Sequence, residues 1–258
     1  MSARDTLPPL WRLNVYRLLL FVASMLSWHV LTQTKILPPF FFGEPLRVFG
    51  QIWKWFSSGS IYPHLAITLL ETMLAFFGGT LLGLIAGLWL GLKPTASALL
   101  SPYLKALNSM PRLILAPIFA VWFGLGLWSK VALGISIVFF LVFFNVYHGV
   151  REVNPVVLAN ARMLGASKRQ LLRMVYVPSA MTWVFASLHN AVGMAFVGAV
   201  IGEYLGSVKG IGYLILEAEG IFDINAVLGG VITLTLFAYG LDMIVTWAER
   251  RLLRWQPN

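Results

Sequence analysis

Long apolar runs separated by short polar islands set the pattern of this chain. A membrane-spanning helix needs about 20 mostly apolar residues. Six runs have that character, at roughly 15–33, 64–92, 112–125, 129–149, 179–205 and 225–247. The third opens at Pro111-Arg112 and is the shortest. Between the first two, 44–58 carries apolar residues at helical spacing with Arg47 and Lys54 among them. That pattern predicts an amphipathic helix lying in a membrane interface. Further short helices are expected at 95–108 and 210–221. The expectation is an all-α, polytopic membrane protein with six transmembrane helices, forming a single transmembrane domain over 1–258.

The most ordered polar island is 151–178. Arg151, Arg162, Lys168, Arg169 and Arg173 place it on the cytoplasmic side if the chain is in a bacterial inner membrane. Asn154-Pro155 reads as a helix cap followed by a first-turn proline. Gly165 reads as a helix stop. Ser167-x-x-Gln170 has the form of a capping box that starts a second short helix, which then meets Pro178. The reading is a helix–glycine–helix elbow lying on a membrane surface, shaped for docking.

Small residues recur every four positions at Gly79, Gly83, Gly87 and Gly91, and again at Gly198, Gly202 and Gly206. Such spacing lets helix backbones approach closely in lipid. The first stripe reads as packing. The second reads equally as packing or as the smooth wall of a pathway.

Composition sharpens this picture. The chain is 59% hydrophobic and 11% charged, whereas a soluble domain carries about 25% charge. It has no cysteine, and His29, His64, His148 and His189 form no short-spaced metal motif. No metal site is expected. The net charge of +9 reads as basic loops on one membrane face, with no nucleic-acid partner. Placing both termini inside puts 14 of the 19 basic residues on the inner side, from Arg4, Arg12 and Arg17 through the elbow to Arg250, Arg251 and Arg254. Lys35, Arg47, Lys54, Lys130 and Lys209 fall outside. The first apolar run lacks an Ala-x-Ala-like cleavage site after it, so a retained helix is expected.

Ionisable and amide groups within spans tend to face a cavity or a partner. Glu71, Asn145, His189, Asn190 and Glu203 are therefore pathway candidates. Asp242 reads as paired near an interface, and Glu203 as sitting at the outer end of the fifth span.

At this point the residues resemble a known family. Ala159-Asn-Ala-Arg-Met-Leu-Gly165, nine residues, then Val175-x-Val177-Pro178 resembles the loop signature of ABC importer permeases. Six further stretches are similar to the sulfonate/taurine/nitrate branch: Lys35-Ile-Leu-Pro-Pro39, His64-Leu-x-x-Thr68, Trp122-Phe-Gly-Leu-Gly-x-x-Ser-Lys130, Gly149-Val-Arg151, Gly202-Glu203 and Gly210-Ile-Gly-Tyr213. A Glu249-Arg-Arg…Trp255 tail comes after them. The resemblance implies a type I ABC importer permease fold working by alternating access. It implies that Ala159, Asn160, Ala161, Gly165, Ala166 and Ser167 couple to an ATPase subunit dimer, which would hold the ATP and magnesium, so this chain would carry no cofactor. A periplasmic or lipid-anchored substrate-binding protein and a second permease subunit, in a homodimer, are the other implied partners besides membrane lipid.

The chain departs from the branch at several positions. Ala159 stands where the signature has glutamate. Glu71 and His189 stand where the branch carries arginine, and Phe196 where it often carries tryptophan, so Phe196 joins the substrate-contact candidates. The implied cargo is a sulfonate, taurine, nitrate or related small solute, with a vitamin-like heterocycle or aromatic acid as the alternative. No Gly-x4-Gly-Lys-Ser/Thr loop occurs, so no nucleotide site is expected here and the chain is not expected to be an enzyme. A membrane hydrolase would need a Gly-x-Ser-x-Gly nucleophile, and a metalloprotease would need paired histidines; neither pattern occurs. An ion-coupled secondary transporter would be expected to show repeats and interrupted helices, and no repeat is evident.

Overall fold

The computed structural model describes residues 9–252. Arg4, Arg254 and Trp255, which entered the charge and tail arguments, lie outside the described residues. Helices account for nearly all of the rest: α1 (Leu10–Gln33), α2 (Pro39–Phe42), α3 (Pro45–Ser58), α4 (Tyr62–Gly91), α5 (Pro94–Ser109), α6 (Leu115–Phe123), α7 (Leu127–Arg151), α8 (Pro155–Met163), α9 (Lys168–Leu171), α10 (Val177–Leu205), α11 (Ile211–Gly220) and α12 (Ile224–Leu252). Two compact units share them, Met1–Ser60 with Ile215–Thr233, and Ile61–Leu214 with Leu234–Asn258.

In the first unit, α3 is the helix expected at 44–58. It buries Pro45 and Val48 while Leu46 and Trp53 are exposed, and Arg47 pairs with Glu44 at 3.0 Å. The Glu44 N–H donates to Asn225 Oδ1 at 2.8 Å. Asp223 Oδ1 in turn accepts from the N–H groups of Asn225 and Ala226 and so caps α12.

The second unit is built on α7, which packs against both α4 and α10. Valines of α7 repeat at the same four-residue step as the glycines of α4. A Cβ at Gly79 would lie 2.6 Å from Val138 Cβ, and one at Gly83 2.8 Å from the Phe139 carbonyl. Gly87 and Gly91 face Val146 and Val150 in the same way. Absent side chains on α4 thus let two backbones meet, with the valines filling the groove. The α10 stripe packs too: Gly198 lies against Gly134, and Gly202 against Lys130.

Among the described residues, five helices are long and apolar enough to cross a membrane, or six if α5 and the Arg112–Phe123 segment count as one broken span bent by 78°. The third expected span, at 112–125, is therefore at most one arm of that broken span. Its α-helical part, α6, has nine residues, about 14 Å at 1.5 Å per residue, against a hydrocarbon core of about 30 Å. The break has a local cause. Met110 precedes Pro111 and is extended, with ψ of 131°, as a pre-proline residue prefers.

Candidate functional site

Three places in the second unit hold the residues singled out from the sequence. The first is the elbow. Asn154 Oδ1 accepts from Val156 N–H at 2.8 Å and Pro155 occupies the first turn of α8. At the other end, Gly165 has φ of +77°. Its N–H donates to the Arg162 carbonyl, and the Ala166 N–H donates to that of Ala161. Those two bonds are a Schellman stop, which requires the left-handed conformation glycine adopts without strain. Ser167 and Gln170 then close a full capping box, with Gln170 Oε1 accepting from Ser167 N–H at 2.8 Å. Ala159, Asn160, Gly165 and Ser167 are exposed, while Ala161 and Ala166 are half-buried. Met163 and Leu164 are 80% and 88% exposed between basic neighbours. Large apolar side chains on a rigid, basic, exposed bend need a partner surface.

The elbow's second helix does not end where it meets Pro178. Leu172–Tyr176 forms one π-helical turn, in which Val177 N–H donates to the Leu172 carbonyl five residues back. Proline has no N–H to give, and its ring displaces the carbonyl four residues before it. The wider turn accommodates that displacement, so α9 runs through it into α10.

The second place is a pair of adjoining cavities walled by α7, α10 and α12, with the end of α5 and Arg112 closing the smaller one. The larger, about 760 Å³, is lined by His189, Asn190, Phe196, Tyr239 and Asp242, with Gly193 leaving open space in its wall. His189 Nε2 lies 2.8 Å from Asp242 Oδ1. Asp242 thus pairs across to α10. The smaller, about 380 Å³, holds Asn145 together with Asn108, Arg112, Phe140 and Phe144. Arg112 donates to Asn108 Oδ1 at 2.7 Å and lies 4.9 Å over the Phe140 ring. Leu141 and Met194 line both cavities. Four of the six pathway candidates, Asn145, His189, Asn190 and Phe196, therefore converge here.

Glu71 and Glu203 do not. They are 1% and 0% exposed and form the third place, a buried polar knot. Glu203 Oε2 accepts from Gly212 N–H at 2.8 Å, and Oε1 accepts from Thr68 Oγ1 at 2.5 Å. Thr68 Oγ1 also accepts from Ile211 N–H at 3.1 Å. His64 Nδ1 lies 3.0 Å from the Gly210 carbonyl and 3.1 Å from its nitrogen, so either tautomer ties that residue. Lys130 is 1% exposed; its ammonium donates to the carbonyls of Leu125 and Gly126, and its charge acts on both carboxyls. Glu71 sits beside Glu203 with its Oε2 unpartnered. Both glycines of Gly210-Ile-Gly are needed. Gly210 has φ of +116° and its missing Cβ makes room for the Glu203 carboxyl, while a Cβ at Gly212 would lie 2.5 Å from the Val200 carbonyl.

Arg112, Lys130 and Thr68 carry more of these sites than the sequence reading assigned them. In the sequence Arg112 stands at the opening of the third apolar run and Lys130 at the end of the 122–130 stretch, neither as part of a site. Their signal was position: each stands at the border of an apolar run, where a long side chain can fold back inward.

Spanning helices around polar-lined cavities make this a polytopic helical membrane protein of the transport type. The chain belongs to the family of binding-protein-dependent transport system inner membrane components, which residues 79–254 match. It is similar to the putative aliphatic sulfonates transport permease protein SsuC of Bacillus subtilis (strain 168), with 29% identity over 93% of this chain and 87% of that one. It is also similar to the riboflavin transport system permease protein RibX of Chloroflexus aurantiacus, with 31% identity over 91% of this chain and 87% of that one. The fold is shared with a chain of the MetNI methionine ABC transporter in an inward-facing conformation, with a TM-score of 0.63 and 20% identity over 76% of this chain and 95% of that one. The chain is thus an ABC transporter permease of the inner membrane.

Proposed function

We propose that the chain works with an ATPase subunit dimer that grips the 151–178 elbow on the cytoplasmic face, both termini being on that side. The elbow carries this reading. A helix fixed at one end by the Asn154 cap and at the other by the Gly165 stop transmits rigid-body motion, and its exposed Met163 and Leu164 supply an apolar anchor. ATP and magnesium belong to that partner. A second copy of this chain and a substrate-binding protein, periplasmic or lipid-anchored, complete the assembly, with lipid around it. The single transmembrane domain alternates access to a small solute. A sulfonate or related anion is the first reading, from the likeness to SsuC, and a heterocycle is the second, from the likeness to RibX.

Purification from the native membrane tests this. An ATPase that co-purifies, together with ATP-dependent uptake, supports it. Uptake driven by an ion gradient without an ATPase partner rejects it.

A further inference from the structure

The adjoining cavities carry charges of opposite sign in different parts. Arg112 is in the smaller one, stacked on Phe140 and held by Asn108. The Asp242 carboxylate, 54% exposed, is in the larger one beside His189. Between them run ring and thioether surfaces. Phe140 and Phe144 stack at 6.3 Å, Met194 lines both cavities, and Phe196 packs on Phe237. A guanidinium beside an aromatic wall suits an acidic group attached to a planar body. A carboxylate suits an amine or ring N–H. A solute with only one charge engages one part and leaves the other with its resident partner, Asn108 for Arg112 or His189 for Asp242, so only a dipolar solute gains a charge-assisted contact in both.

We infer that the two cavities are one solute site that selects dipolar organic solutes, with the acidic group at Arg112, an unsaturated body against Phe140, Phe144 and Met194, and the amino or N–H group at Asp242. This rests on the proposed transport role, with the solute pathway running along α7, α10 and α12.

The absence of native cysteine makes Gly193→Cys the one thiol of this chain, on which labelling is read separately from the partner subunits, and a Cβ at 193 meets nothing within 4 Å. The assembled transporter carrying G193C, in membrane vesicles of both orientations, is treated with a permanently cationic methanethiosulfonate and with N-ethylmaleimide. Reaction with the cationic reagent shows a water-accessible cavity. Reaction with the maleimide alone means that position 193 faces lipid, and reaction with neither means that it is sealed against another subunit; both outcomes overturn the pathway reading and the inference with it. Given a reactive thiol, protection is titrated with 4-(aminomethyl)benzoate, benzoate and benzylamine. The dipolar compound should protect at about tenfold lower concentration than either singly charged one, because one charge-assisted hydrogen bond contributes at least that factor. Arg112→Gln should erase the advantage over benzylamine, and Asp242→Asn the advantage over benzoate. An unchanged rate of unprotected labelling shows that each variant keeps the cavity. Equal protection by all three compounds, best protection by benzoate, or no protection overturns the dipolar selection while leaving the pathway reading in place.

Discussion

The polar knot around Glu203 and the elbow around Gly165 belong to the same compact unit, and they use their polar groups in opposite ways. In the knot, side chains of α4, α7 and α10 turn inward and bind backbone: Glu203 takes Gly212, Thr68 takes Ile211, and His64 takes Gly210. In the elbow, each helix end is closed by its own neighbours within a few residues, and the rest faces out. The knot is long-range and, apart from half-buried His64, enclosed, so removing a buried member leaves others with fewer partners away from water. The elbow is local and self-capped, so a change there alters its shape with little effect on the bundle. One region is built to hold the fold, and the other to be held by something else.

The largest effect should come from Glu203→Ala. It leaves Lys130 with its charge less compensated and the Gly212 N–H without an acceptor in a buried site, while the Thr68 hydroxyl keeps only the His64 carbonyl. Breaking a buried ionic network costs about 3–5 kcal/mol. Thermal unfolding in detergent should show a strongly lowered midpoint, and Glu203→Gln, which keeps an acceptor, should recover part of it. A midpoint like that of the parent protein in the alanine variant would mean that the knot is not holding the fold.

A bulky residue in the α4 stripe should come next. In Gly83→Leu the added atoms would start 2.8 Å from the Phe139 carbonyl and 2.9 Å from Val142 Cβ, so α4 and α7 must separate. Overpacking of this kind costs about 1–3 kcal/mol. Gly193→Leu is the control: it lies in a helix but opens on empty space, so it should leave the unfolding midpoint in place. Equal losses in both would show that glycine flexibility, and not close approach, sets the stability.

This division also explains which parts were legible in the sequence. Apolar runs, glycine spacing and caps are local patterns, and α4, α7, the Asn154 cap, the Gly165 stop and the Ser167 box arise from them. The knot could be seen only as three separate fragments, His64-Leu-x-x-Thr68, Gly202-Glu203 and Gly210-Ile-Gly. Their union depends on α4 and α10 meeting α7. The His189–Asp242 pair joins residues 53 apart in the chain, a distance that no periodicity reports. That α5 and the segment opening at Pro111 form one broken span, and that a π turn precedes Pro178, were missed for a different reason. Proline marks a disturbance in the sequence. Whether the chain breaks there, as at Pro111, or widens by one residue, as at Pro178, depends on the neighbouring residues and on the packing.

On the elbow side, Gly165→Val should cost little in stability and much in coupling. Its position has open space around it, so the penalty is conformational, about 1–2 kcal/mol for a left-handed residue with a branched side chain. Relaxing that strain tilts α8 relative to α9. The expected outcome is a nearly unchanged unfolding midpoint with ATP hydrolysis uncoupled from uptake, or a lost ATPase in co-purification. Gly165→Asn, which tolerates positive φ better, should keep more activity than valine. Normal uptake in the valine variant would remove the glycine stop from the coupling device.

The smallest effect should come from Ser167→Ala. The hydroxyl accepts from Gln170 N–H at 3.3 Å, a long bond, while the reciprocal contact from Ser167 N–H to Gln170 Oε1 is 2.8 Å and uses the backbone. Alanine removes only the weaker half of the box, so the loss should be nearer the low end of about 0.5–2 kcal/mol for an N-cap. Because α9 is only four residues long and continues into the π turn, that loss should appear as faster amide exchange over 168–171, with the unfolding midpoint and uptake nearly unaltered. Gln170→Ala removes the shorter contact and should speed exchange more. If Ser167→Ala lowers the global midpoint as much as Glu203→Gln does, the elbow shares the stability of the bundle and is not the separable, locally closed part that the contrast with the knot describes.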